Sequence, residues 1–155
     1  MRSGAAKALG ELKDVRAVAL LINSLKDGNW HVHNASAAAL GQLGDASAVA
    51  PLIDAFKNRG NISYDSVARA LEQIGEAAIN PLITALDDKN EYVRHEAAWT
   101  LAKLDHFEGG ATLITAFKSL PGWQADKERY AAALEKWGTP EAMEAVRKWR
   151  KENKK

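Results

Sequence analysis

The stretch SAAALGQLGDASAVAPLIDAF, residues 36–56, holds two helical patterns joined by a glycine-aspartate turn, and the chain repeats it with variations. Its central leucine, Leu40, has counterparts at Leu9, Leu71, Leu101 and Leu134, which by subtraction are 31, 31, 30 and 33 residues apart. A period of about 30 residues that contains two short helices indicates an α-solenoid, in which stacked helix pairs share a continuous core. We therefore predict an all-α, right-handed α-α superhelix of about five helical hairpins.

Helix-ending and helix-capping residues mark the turn inside each hairpin. Gly44 follows the apolar run that ends at Leu43, where a glycine supplies the left-handed residue that closes a helix, and Asp45 is placed to cap the next helix. The fifth repeat restates the turn as Gly138-Thr139-Pro140, which reads as a C′ glycine, an N-cap threonine and a first-turn proline. We expect a tight connection between the two helices of each hairpin.

Alignment of the repeats separates the predicted core from the predicted surface. Columns that keep one size and stay apolar are core, because stacked helices leave no room for variation there. They comprise a small column (Ala6, Ala37, Ala68, Ala98, Ala131) and two aliphatic ones (Leu21, Leu52, Leu82, Leu113 and Ile22, Ile53, Ile83, Ile114).

Two further columns change their chemistry from repeat to repeat and fall on the opposite side of the second helices. We name them the second-helix stripe, and they are Asn23, Asp54, Thr84 and Thr115, flanked by Lys26, Lys57, Asp87 and Lys118. Trp123 follows in the interrupted connection Leu120-Pro121-Gly122, and loop tryptophans are enriched at binding sites. We expect a protein partner to bind along these residues, on the concave face of the solenoid.

The repeats divide one domain, 1–155, into units of approximately 1–27, 28–58, 59–88, 89–119 and 120–155. The first unit begins inside a repeat and is predicted to be truncated, so its uncapped helix is either a cut surface or a surface for self-association. The last unit carries Arg147 and Arg150 where other repeats have isoleucine and leucine or phenylalanine, as expected of a polar cap.

Composition excludes several classes of function. The chain has no cysteine, so disulfides, thiolate metal sites and cysteine nucleophiles are absent. A net charge of +1 gives no overall field for nucleic acid or membrane surfaces. No phosphate loop, nucleophile elbow or apolar signal region occurs, and no apolar run approaches the roughly 20 residues of a membrane span. We expect a cytoplasmic, non-catalytic protein without a cofactor.

The segments Tyr92–Ala98, Leu40–Asp45 and Pro51–Ile53 resemble the short HEAT-like repeat of about 30 residues that is found in phycobilisome lyase subunits and many bacterial and archaeal scaffold proteins. The resemblance covers essentially the whole chain. It implies a solenoid of HEAT-like hairpins, and it leaves function open because unrelated activities share the repeat. An accessory subunit of a bilin-lyase or tetrapyrrole-handling complex is the alternative function that it implies.

A metal centre is the sharpest alternative, because His95-Glu96 resembles the His-Glu motif of deoxyhypusine hydroxylase, a HEAT-repeat di-iron enzyme. Such a site needs several pairs facing one another. The matching positions are Ser3-Gly4, Asn34-Ala35, Asp65-Ser66 and Glu128-Arg129, so we expect no metal.

The hypothesis of nucleic-acid binding rests on the basic segment after Met143, which holds six Lys/Arg against two Glu. A DNA glycosylase family uses HEAT-like helices lined with basic residues, but here the stripe mixes Asp54 and Asp87 with its lysines. We expect a solvated cap helix instead.

Trp30 falls at a turn, and Trp99 falls in a solvent-type column. Two roles stay open for both tryptophans: contact with a binding partner, or cover over a neighbouring repeat.

Overall fold

The structure is a computed structural model that describes residues 1–58, 63–104, 114, 117, 128, 131–132, 134–136 and 138–153. Throughout these residues the regular elements are helices, with no β-strand. The α-helices are α1 (Arg2–Glu11), α2 (Val18–Ser24), α3 (Trp30–Leu43), α4 (Val49–Ala55), α5 (Tyr64–Ile74), α6 (Ile79–Ala85), α7 (Glu91–Lys103) and α8 (Pro140–Asn153). The predicted all-α solenoid is confirmed.

Along the chain, the first helices of the hairpins stack on one another, and so do the second helices. The first helices form one layer, in which α1 packs on α3, α3 on α5 and α5 on α7. Contacts of α4 with α6 link second helices, and the layers meet where α2 packs on α3, α4 on α5 and α6 on α7. Each hairpin therefore buries its faces against its sequence neighbours, as a one-dimensional repeat architecture requires.

The turns follow the predicted chemistry with one refinement. Gly44 adopts a left-handed φ of 68°, and the carboxylate of Asp45 accepts a hydrogen bond of 2.8 Å from the backbone N–H of Ser47. Asp45 caps a short 3₁₀ turn, Ala46–Ala48, which then leads into α4, whereas the sequence placed this cap on the second helix itself. The extra turn leaves α4 only seven residues long.

The fifth-repeat turn agrees with its prediction. Gly138 has a left-handed φ of 64°, and the Thr139 hydroxyl accepts a hydrogen bond of 3.1 Å from the backbone N–H of Ala142. Pro140 is the first residue of α8, where its missing N–H leaves no intrahelical bond unmade.

One of the two aliphatic columns predicted to form the core is less buried than the other. The leucine column is sealed, since Leu52 and Leu82 expose 0% of their surface, and each such burial contributes about 1.5–3 kcal/mol. The isoleucine column, predicted to be equally buried, is only half-buried at Ile22, Ile53 and Ile83. These isoleucines pack against the edge of the core and remain partly exposed on the second helices.

No helix in the described part of the chain combines the length and apolarity that crossing a membrane requires.

Candidate protein-binding site

The second-helix stripe is a regular exposed row on the described repeats. Its six described members all lie at the surface: Asn23, Lys26, Asp54, Lys57, Thr84 and Asp87. The three remaining predicted residues, Thr115, Lys118 and Trp123, lie outside the described residues. The structure therefore gives geometry for the stripe in the first three repeats.

The same backbone hydrogen bond positions the two stripe residues of each repeat. At the end of each second helix the N–H of the flanking residue donates to the carbonyl of the residue three positions earlier. The bonds are Lys26 to Asn23 (3.1 Å), Lys57 to Asp54 (3.1 Å) and Asp87 to Thr84 (3.2 Å). These bonds tighten the last turn of α2, α4 and α6, as helix ends commonly do. The side chains of the stripe are consequently displayed from equivalent backbone positions.

Two depressions separate the repeats along this row. The first, of about 430 Å³, lies between the first and second repeats and is lined by Ile22, Leu25, Lys26, Ala50, Pro51, Asp54, Ala55 and Asn58. The second, of about 340 Å³, lies between the second and third repeats and is lined by Ala50, Ile53, Asp54, Lys57, Pro81, Thr84, Ala85, Asp88 and Val93. Ala50 and Asp54 belong to both, so the depressions are adjacent parts of one furrow.

The floor of the furrow was missed at the sequence level. Ile22, Ile53 and Ala50 were assigned to the core or left unassigned, and they line the depressions beside the predicted polar residues. The available signal was the proline column, Pro51 and Pro81, because each proline sits one residue before the buried leucine and closes a depression against a neighbouring repeat.

Charge on the furrow is organised around one ion pair. The Lys57 ammonium lies 2.7 Å from the Asp54 carboxylate. Hydrogen bonding to Asp54 raises the pKa of Lys57 above its ordinary value, and the negative charge of Asp88 acts in the same direction. Lys57 therefore stays protonated at physiological pH, and the rim of the second depression carries fixed charges of both signs.

The residues of the metal hypothesis lie on α7 without a matching set. Glu96 is buried and His95 half-buried, while Asn34 offers no carboxylate or imidazole and instead accepts a hydrogen bond of 2.9 Å from the N–H of Ser63. Within 1–58, 63–104 and the described residues beyond, no three His, Asp or Glu side chains lie close enough to hold one metal ion.

The basic C-terminal helix is partly neutralised. Arg150 is ion-paired with Glu135 at 2.5 Å and with Glu128 at 3.6 Å. Trp149 is buried against Phe117 with ring centroids 5.6 Å apart, so α8 packs against the fourth repeat unit. Arg147 is exposed, as a polar cap predicts.

The two described surface tryptophans differ from each other. Trp30, the first residue of α3, exposes 54% of its surface and lies beside His31, with ring centroids 3.9 Å apart. Trp99 is half-buried, with the Lys103 ammonium 5.7 Å from its ring centroid. Neither lines the furrow between the second helices.

Comparison with known proteins gives a family match and two structural likenesses. HEAT repeats match residues 1–62 and 65–125 of the chain. No curated protein sequence matches it. The complex of CpcE and CpcF of phycocyanin lyase from Nostoc sp. PCC7120 is similar at 27% identity and a TM-score of 0.49, over 92% of this chain. This chain spans 58% of that one.

Human deoxyhypusine hydroxylase in complex with glycerol is similar at 18% identity and a TM-score of 0.51. The likeness covers 99% of this chain and 74% of that chain. At such low identity it is evidence for the shared helical-repeat fold alone.

Proposed function

The chain belongs to the HEAT-repeat family, and from that premise we propose that it is a non-catalytic scaffold that binds a protein partner along the second-helix stripe. The observation that supports this proposal is the furrow itself. Its two depressions lie on either side of α4, whose exposed residues Ala50 and Asp54 line both, so one bound segment that spans α4 can contact both.

The chemistry of the furrow suits a protein segment. Its floor is aliphatic, from Ile22, Ile53 and the two prolines, and its rim carries the Asp54–Lys57 pair. An apolar floor inside a charged rim is the usual anatomy of a protein-binding surface. Apolar side chains of the partner would gain free energy by leaving water, and the rim charges would fix orientation.

The proposed binding mechanism depends on the rigidity of the second helices. The stripe rests on second helices whose leucines Leu52 and Leu82 expose 0% of their surface, so little conformational entropy remains to be lost when a partner binds. Asp87 adds a specific argument, because a negative charge at a helix C-terminus gains nothing from the helix dipole. We interpret this acidic position as serving recognition rather than stability, on what we propose to be the concave side.

A charge exchange tests the proposal. The partner is first identified by affinity capture from the native source, and its dissociation constant is then measured by calorimetry. Asp54→Lys together with Lys57→Asp preserves the ion pair within the chain while it inverts the charges that a partner meets. We expect at least tenfold weaker binding, which is about 1.4 kcal/mol, with an unchanged melting temperature.

The control exchanges charge on the first-helix side of the molecule, with Lys7→Glu and Arg69→Glu. Both residues are exposed, so stability should again be retained. If this control abolishes binding and the Asp54/Lys57 exchange does not, the partner lies on the first helices and the proposal is wrong.

The alternative function, an accessory subunit of a bilin-lyase or tetrapyrrole-handling complex, remains a hypothesis drawn from the repeat type. One of the similar structures is a complex of phycocyanin lyase, and that activity belongs to that protein. Identification of the captured partner separates the two functions. A pigment-bearing or pigment-processing partner favours the alternative, and any other partner favours a general scaffold.

A further inference from the structure

The contact between neighbouring first helices changes between the third repeat and the fourth. α1 and α3 approach so closely that a Cβ added to Gly10 would lie 2.8 Å from the Cα of Ala39, and α3 and α5 repeat this pairing of glycine with alanine. At the equivalent positions of the next junction stand Glu72 on α5 and Thr100 on α7. Because both side chains are larger, they hold the two backbones apart, and α5 contacts α7 less extensively than α3 contacts α5.

A charged pair occupies this wider junction. In the two tighter junctions a glutamine of the following helix lies over the glycine, and these glutamines are Gln42 and Gln73. Lys103 has the equivalent position on α7, where its ammonium lies 3.3 Å from a carboxylate oxygen of Glu72 and 3.2 Å from one of Asp65. Only the contact with Asp65 has hydrogen-bond geometry, so a buried oxygen of Glu72 lacks a hydrogen bond in the described part of the chain. The junction of α5 with α7 therefore combines looser packing with an incompletely satisfied carboxylate.

Water and dissolved salt reach this charged pair. The side chains of Lys103 and Glu72 expose 28% and 31% of their surface. Ion pairs in contact with solvent contribute little to stability, and salt weakens them further by screening. The backbone packing of the two tighter junctions involves no charges, so we expect salt to affect the junction of α5 with α7 selectively.

α7 is held more firmly on its opposite side, next to the furrow. The guanidinium of Arg94 donates hydrogen bonds of 2.7 Å and 3.0 Å to the backbone carbonyls of Asp88 and Lys89, in the loop that precedes α7. α6 packs against α7, and Val93 exposes 0% of its surface where it lines the second depression. The N-terminal part of α7 is therefore fixed to the second-helix side of the molecule, whereas Lys103 at its C-terminal end rests on α5.

We propose that the junction of α5 with α7 is a salt-sensitive hinge. α7 stays attached to α6 and to the loop before it, and its C-terminal end swings away from α5 as Glu72 and Lys103 separate. In a repeat protein each interface contributes its own term to stability, so the weakest interface opens at a lower free energy than the whole chain unfolds. Such opening changes the bend of the second-helix stripe between the third repeat and the fourth, and this consequence for binding rests on the proposed function. The hinge itself needs no partner to be tested.

The first experiment measures opening by the reactivity of a single thiol, which the absence of native cysteine permits. Thr100→Cys places the thiol on α7 in the wide junction, and Ser36→Cys is the matched control, one turn from Ala39 in the tight junction of α3 with α1. Both native hydroxyl residues expose 0% of their surface. Under native conditions a thiol reagent should label Thr100→Cys at least tenfold faster than Ser36→Cys. From 0.1 M to 1 M NaCl the screening length falls from about 10 Å to about 3 Å, and only the Thr100→Cys rate should rise.

The second experiment alters the hinge itself and follows amide hydrogen exchange by mass spectrometry. Glu72→Gly, Thr100→Ala and Lys103→Gln together install the residues of the two tighter junctions, and they should slow exchange in α7 and remove its dependence on salt. Lys103→Gln alone breaks the charged pair without adding close packing, so exchange in α7 should become at least threefold faster. Lys7→Gln is the control, because it removes an ion pair with Glu11 inside α1, and it should leave exchange in α7 unchanged.

Two results would overturn the hinge. Equal labelling rates of Thr100→Cys and Ser36→Cys at both salt concentrations would mean that the chain opens only as a whole. Unchanged exchange in α7 after Lys103→Gln would mean that the charged pair does not hold the junction. Neither result bears on the furrow as a binding surface, and a failed charge exchange at Asp54 and Lys57 would leave the hinge untouched.

Discussion

Gly41 of α3 lies directly against Ala70 of α5, so that a Cβ added at Gly41 would stand 2.7 Å from the Cα of Ala70 and 3.1 Å from its Cβ. The same relation joins Gly10 to Ala39 one repeat earlier. Glycine is disfavoured inside a helix, and its presence at both sites indicates that stacking of the first helices requires the missing side chain. The distance between repeats is therefore set by backbone contact as well as by the leucine core.

We expect Gly41→Ala to lower the free energy of unfolding by about 1–3 kcal/mol, because a methyl group there overpacks a backbone atom that cannot rotate away. The intrinsic preference of alanine for helix, about 0.5–1 kcal/mol, opposes this loss only in part. Gly4→Ala is the control, since nothing lies within 4 Å of an added Cβ there, and it should stabilise the chain slightly. Urea titrations followed by circular dichroism measure both, and equal effects of the two substitutions would contradict the packing argument.

The two faces of α6 should respond in opposite ways to truncation. Leu82 exposes 0% of its surface, so Leu82→Ala should cost roughly 2–5 kcal/mol by leaving a cavity in the core. Thr84 is exposed and its hydroxyl donates to the carbonyl of Asn80 at 3.1 Å, so Thr84→Ala should change stability little. A thermal melt in which Thr84→Ala was as damaging as Leu82→Ala would show that the helix faces are assigned wrongly.

Sequence periodicity was sufficient for the fold because each repeat carries its own start and stop chemistry. Gly44, Asp45 and Gly138 act locally, through φ angles and hydrogen bonds within a few residues, and such effects are visible in one sequence. The leucine column was equally visible because five copies of one pattern distinguish a fixed position from a variable one.

Burial across repeats was harder to predict, since it depends on which neighbour is present. The isoleucine column looks like core in every repeat, and Ile53 is only half-buried because the furrow between second helices opens above it. The glycines Gly10 and Gly41 have no counterpart in the third repeat, where Glu72 stands, so periodicity gave no reason to single them out.

His33 is a buried polar residue that the periodicity did not anticipate. Its ring exposes 2% of its surface, and neither ring nitrogen has a hydrogen-bond partner in the described part of the chain. Burial lowers the pKa of His33 below its ordinary value, while the negative charge of Asp27 offsets part of that effect. The folded chain therefore favours the neutral imidazole.

Stability should consequently fall as the pH is lowered through the ordinary histidine pKa of about 6.5. Below that pH the unfolded chain binds a proton at His33 that the folded chain still excludes, so protons favour the unfolded state until the lowered pKa of the folded state is reached. His33→Leu should flatten this dependence between about pH 7.5 and pH 5.5 in denaturant titrations. A slope unchanged by His33→Leu would assign the effect to other groups.

Ala50 offers the most selective test of the furrow because it lines both depressions and is itself exposed. Ala50→Trp should fill the space that a partner's apolar side chains would enter on either side, and it should weaken partner binding at least tenfold. Folding should be unaffected, since the added ring extends from the surface and displaces no core atom. Ala38→Trp makes the same change at an exposed position on α3, which is a first helix, and should leave affinity unchanged. Calorimetry with the captured partner compares the two variants with the wild-type chain. Loss of binding in Ala38→Trp with full binding in Ala50→Trp would mean that the partner contacts the first helices and passes over the furrow.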